Sequence, residues 1–132
     1  MTMTLAQEWF TDSIDWQDVG EDGTKYALLE GKRDAGLFSY AFFIPAGFWD
    51  PPHWHSSDAR VFVAKGCLKL AYSEDIKDGA LTSYPTGSFV LVPKKAVHFD
   101  GADEDTLIFG VAEGPWSTSY LDETIQGSAG TI

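Results

Sequence analysis

The segment DPPHWHSSDARVFVAKG, residues 50–66, holds two of the chain's three histidines, His53 and His55, one residue apart. On a β-strand successive side chains alternate faces, so both imidazoles point one way and Trp54 points the other. Two imidazoles on one face can share one divalent ion, and a further ligand must then come from another strand. The third histidine, His98, follows a proline turn in PKKAVHFDG, where a neighbouring antiparallel strand could carry it to the same place. Histidines at i and i+2 also arise by chance on ordinary strands, so the pair by itself fits a metal site and a structural role alike.

Other chemistries find less support. Ser56, Ser57 and Asp58 adjoin the histidines, but no flanking glycines form a nucleophile elbow, and metal-bound imidazoles cannot serve as a general base. The acidic stretches YSEDIKDG and GADED lack the ligand spacing of a calcium loop and read as solvated hairpin turns. Cys67, the only cysteine, excludes an internal disulfide and reads as a small buried hydrophobe. A formal net charge of −11 and a pI near 4.4, with no basic stripe, argue against nucleic acid and anionic membranes and leave a small-molecule ligand as the expected partner. The opening MTMTLAQEWF lacks the basic and apolar regions of a secretory signal, and no apolar run approaches a membrane span, so a soluble cytoplasmic protein is expected.

The elements that must position the histidines are short strands. After a short helical or irregular lead around residues 5–16, apolar or alternating segments fall at 25–29, 38–44, 53–55, 60–64, 68–72, 81–84, 89–92, 97–99 and 106–112. Between them stand PAG, AKG, SEDIKDG, PTGS, PKK and DGADED, whose prolines, glycines and acidic residues favour turns. Strands at this spacing with weak helical periodicity predict an all-β fold, and a small jelly-roll barrel closes most sheet edges. The frequent aromatics, among them Phe38, Tyr40, Phe42, Phe48, Trp49, Phe62, Phe89, Phe99, Phe109 and Trp116, are expected mostly in its core, with a few at the barrel mouth.

Here the sequence resembles the cupins. Their first motif, G-x5-H-x-H-x3-E-x6-G, lies on Gly47, His53, His55, Ala59 and Gly66, with alanine where the family has glutamate. The second, G-x5-P-x-G-x2-H-x3-N, lies on Gly87, Pro93, Lys95, His98 and Ala102, with lysine and alanine in place of glycine and asparagine. The resemblance implies a double-stranded β-helix, a single domain over 1–132 with a lead at 1–20, a barrel at 25–121 and a loose tail at 122–132. It also implies one divalent transition metal on His53, His55 and His98.

Ala59 shares the parity of His53 and His55 and should face that ion; Asp58 and Arg60 should face away. Under a one-residue slip Arg60 would take the ligand position, and a guanidinium cannot coordinate. Asp100, with the parity of His98, is the one candidate for a replacement carboxylate, though a solvated turn residue is the ordinary reading of that position. Without a carboxylate, three neutral imidazoles leave the ion's charge uncompensated and favour an anionic chelating ligand. Fe(II) is the favoured metal, with Zn, Mn, Ni or Cu open.

The three-histidine pattern is similar to that of the acetylacetone-type β-diketone dioxygenases. That implies an Fe(II)-dependent dioxygenase cleaving a small β-dicarbonyl or related enolisable substrate. The alternatives are a non-catalytic metal- or metabolite-binding module and a redox-neutral metal-dependent lyase or isomerase. FFIPAGFWDPPHWHSSDARVFVAKG and GVAEGPWSTSYL also resemble small bacterial cupins, some compared with the cupin half of the anti-sigma factor ChrR. The zinc-binding helical domain of that factor has no counterpart in this length and cysteine content. The cupin likeness makes a symmetric homodimer the default.

Overall fold

The computed structural model describes residues 4–124. Eleven strands run in chain order: β1 (Gln17–Asp18), β2 (Lys25–Lys32), β3 (Ala35–Ile44), β4 (Trp49–His55), β5 (Ala59–Lys65), β6 (Cys67–Ala71), β7 (Thr82–Pro85), β8 (Phe89–Val92), β9 (His98–Gly101), β10 (Thr106–Gly114) and β11 (Thr118–Tyr120). They form two antiparallel sheets, ordered β1-β2-β3-β10-β5-β8 and β11-β4-β9-β6-β7. This is the all-β jelly roll expected. No helix occurs among the described residues, so the lead is irregular, with a turn closed by Ser13 and Phe10. None is therefore long and apolar enough to cross a membrane. Most of the expected tail, 125–132, lies outside the described residues.

The two inner faces make the core. On β3, Phe38, Tyr40, Phe42 and Ile44 point inward at period two, and Ala59, Val61 and Val63 do so on β5. Leu68 and Leu70 of β6 and Val92 of β8 meet them from other strands, each fully buried aliphatic contributing roughly 1.5–3 kcal/mol. On the outside of β2, β3 and β10, the lead supplies a second cluster, with Ile14 and Trp16 packed around Ala27, Ala41 and Leu107.

Two expectations need correction. Phe62 and Phe89 pair across β5 and β8 but stand on the outer face, 42% and 63% exposed, and Trp49 is also exposed. Residue type marked these positions as strand and could not tell which side was buried. Cys67 is half-buried rather than fully buried, because it opens β6 at the sheet end.

The connections fix strand phase. Gly66, at φ +81°, turns β5 into β6, and a Cβ there would strike the backbone of Asp105 and Thr106, so only glycine fits. Thr106, fully buried, ties the same corner by accepting from the Cys67 amide at 3.2 Å and donating to the Glu104 carbonyl at 2.9 Å. Lys95 occupies the left-handed region at φ 64°, where the family motif has glycine, and its amide donates to the His55 carbonyl at 2.8 Å. That bond locks the turn before His98 onto the end of β4.

Candidate metal centre

His53 and His98 are direct partners across the β4–β9 ladder, and His55 follows at the same face of β4. Their rings lie 4.2 Å (His53–His98), 4.9 Å (His53–His55) and 5.2 Å (His55–His98) apart between centroids. One ring nitrogen from each lies within 4.8 Å of the other two. The three histidines are thus arranged to hold a metal ion, His53 and His55 by the parity of their strand and His98 as the second motif implied.

The other ring nitrogens are anchored. His53 Nδ1 lies 2.7 Å from the Pro51 carbonyl and His98 Nδ1 2.9 Å from that of Ala96; carbonyls only accept, so each Nδ1 carries the proton and leaves Nε2 with a free lone pair. His55 Nδ1 lies 3.0 Å from Thr118 Oγ1, which can accept the same N–H, while Trp116 stacks on the His55 ring at 4.4 Å. Burial, and next the neighbouring His53, hold His98 below the ordinary imidazole pKa. Burial with both neighbours holds His55 well below it. Neutral imidazoles are the metal-binding form.

The cluster opens into a cavity of about 80 Å³, walled by Phe38, Phe42, Val61, Leu70, Ile108 and Trp116. Ala59 lines it and is buried, whereas Arg60 is exposed and Asp58 is spent outside, accepting the Lys94 amide at 2.7 Å. The position vacated by glutamate therefore faces the histidines, as predicted. Ser56 and Ser57 donate to the backbone carbonyls of Pro115 and of Glu113 at the end of β10, which is a structural role.

The expected lack of a carboxylate is where the structure differs. Asp100 does enter the cavity, with Oδ1 3.8 Å from His53 Nε2, and so does Asp50, with Oδ2 3.7 Å from the same atom. Asp50 lies an odd number of residues from His53, which in a regular strand would send it to the opposite face. The ladder is irregular between them: β4 advances three residues while β9 advances two, pairing Asp50 with Asp100 and His53 with His98. Pro51 and Pro52 occupy the bulge, and a Pro-Pro pair inside a strand was the sequence signal for it.

β11, a second omission, is a short polar strand on the sheet edge. It pairs Thr118 with His55 and Tyr120 with His53, and the Tyr120 hydroxyl donates to Asp50 Oδ1 at 2.6 Å. Burial, then the facing Asp100 charge, push Asp50 up to about 7 against the lowering pull of His53 and Tyr120.

Comparisons with known proteins agree with this architecture. KdgF from Halomonas sp. superimposes with a TM-score of 0.62 at 22% identity, over 88% of this chain and 97% of that one. The polyketide cyclase RemF from Streptomyces resistomycificus gives 0.68 at 16%, covering 92% and 86%. The oxalate decarboxylase of Lactobacillus farciminis gives 0.64 at 17%, covering 86% of this chain and 35% of that one. No curated protein matches. Residues 7–117 match the ChrR cupin-like domain, and the chain belongs to that cupin family.

Proposed function

We propose that the protein is a mononuclear divalent-metal enzyme that removes a proton from a small enolisable carbonyl compound, of β-dicarbonyl type, in a redox-neutral lyase or isomerase reaction. The observation behind this reading is the pair of carboxylates beside a three-histidine cluster inside an apolar cavity. An ion bound there supplies Lewis-acid polarisation of a carbonyl oxygen. His53, His55 and His98 hold it. Asp50 Oδ2, oriented through the Tyr120 bond to its other oxygen, accepts the proton from the carbon beside that carbonyl. Tyr26 lines the same cavity with a buried hydroxyl that has no hydrogen-bond partner among the described residues, a donor for a second substrate oxygen. Phe38, Phe42 and Trp116 keep water from the reacting carbon.

The sequence-based preference for an Fe(II) dioxygenase rested on a resemblance to three-histidine iron enzymes, at a site expected to lack a carboxylate. Asp50 and Asp100 beside the histidines support the redox-neutral reading instead. Oxygen-dependent cleavage of the same substrates is the second reading, favoured by the apolar aromatic walls. The test is anaerobic incubation of Zn2+- or Fe2+-loaded protein with a β-diketone panel in deuterated water, followed by proton NMR. Exchange or conversion without oxygen, lost in Asp50→Asn, supports the first reading. Substrate loss only with iron and matched oxygen uptake moves the assignment to the second. Binding with neither overturns both in favour of a non-catalytic module.

A further inference from the structure

Asp50, His53 and Asp100 form a second group of donors, each contributing an atom within 4.8 Å of the others. It shares His53 with the three-histidine group. Asp50 and Asp100 are direct partners on the β4–β9 ladder, a position where like charges repel. Their side chains are only 13% and 19% exposed, and the residues lining the cavity include no lysine or arginine. Tyr120 satisfies one oxygen of Asp50, while buried Asp100 Oδ1 has no hydrogen-bond partner among the described residues. A buried acceptor left without a partner is costly, and two facing ones are more so. His53 Nε2 points between them, its Nδ1 already committed to Pro51.

Resting on the metal-site reading above, we propose that Asp50, His53 and Asp100 form a second cation position that overlaps the three-histidine one through His53 Nε2. The two positions differ in donor chemistry. Three imidazoles suit borderline ions such as Zn2+, whereas two carboxylates with one imidazole suit harder ions such as Mn2+. A divalent ion between the aspartates cancels both charges and gives Asp100 Oδ1 its missing partner. One Nε2 lone pair serves one ion, so the positions fill alternately.

Calorimetric titration of Zn2+ and of Mn2+ into the metal-free full chain tests this, with circular dichroism to verify folding. Asp100→Asn should weaken Mn2+ roughly tenfold or more while moving Zn2+ by less than about threefold, and His55→Ala should do the reverse. Asp50→Asn should give the same split as Asp100→Asn, so a folding failure in one variant leaves the other to decide. Zn2+ should displace Mn2+, with no more than one ion per chain. Equal losses of both ions in the aspartate variants, no loss of Mn2+, or two ions bound together would overturn the proposal. Zn2+ binding indifferent to His55→Ala would instead remove the three-histidine reading, and a retained Mn2+ loss in Asp100→Asn would leave the aspartate position standing.

Discussion

Asp50 and Asp100 face each other across the β4–β9 ladder, each with an oxygen 3.7–3.8 Å from His53 Nε2. In the metal-free protein the Tyr120 hydroxyl bonds to Asp50 and the His53 ring lies near both carboxylates, while Asp100 Oδ1 has no hydrogen-bond partner among the described residues. Replacing one carboxylate with an amide of the same shape should therefore stabilise the apo form. Urea unfolding of Asp100→Asn in chelator at pH 8 should show a gain of about 1–2 kcal/mol with the slope unchanged. A loss would mean that the facing charges are not a burden.

Thr118 orients His55 without touching the cavity ion position itself. Thr118→Val keeps the shape of an edge-strand residue and removes the oxygen 3.0 Å from Nδ1. Zn2+ affinity should fall roughly tenfold, with the melting temperature of the metal-free protein little changed.

Ala59 marks the place of the family's glutamate and faces the histidines from β5. Ala59→Glu should lower metal-free stability by about 1–3 kcal/mol through overpacking and charge burial. Saturating Zn2+ should restore more of the melting temperature than it adds to wild type. An identical metal-induced shift in both proteins would show that position 59 does not reach the ion.

Lys95 holds a left-handed backbone that costs a non-glycine residue roughly 1 kcal/mol. Lys95→Gly removes that strain at some cost in unfolded-chain entropy and keeps the amide bond to His55. Thermal unfolding should show a gain of up to about 1 kcal/mol, with Zn2+ affinity preserved.

Gly110 on β10 lies beneath the Tyr40 ring, and a Cβ there would strike the ring and its hydroxyl. Gly110→Ala should destabilise the fold by about 1–3 kcal/mol and displace a cavity wall residue. Near-ultraviolet circular dichroism would register the moved ring.

Periodicity carried much of this structure. The nine expected segments all became strands, most clearly β3 and β5, where inward apolar residues recur at period two, and His53, His55 and Ala59 were placed on the cavity side by the same alternation. His98 needed the second motif, since only pairing between β9 and β4 brings it opposite His53. What alternation could not supply was its own interruption: Asp50 belongs to the cavity because a bulge breaks the count. β11 escaped notice because three polar residues carry no hydrophobic pattern, although they orient His55 and Asp50. Phe62 and Phe89 had the residue types of core and the positions of surface, a distinction made only by which sheet face is covered.

The Pro51–Pro52 bulge has a consequence for how this site can change. It offsets the alternation of side-chain direction: the same four residues paired regularly, without the bulge, would turn Asp50 to the outer face while leaving both histidines in place. The charge inside the barrel is thus set by how a short stretch of backbone pairs as much as by the letters in it. Relatives with the same histidines and the same spacing but a regular ladder there would carry a different electrostatic interior, and should select different cations and substrates.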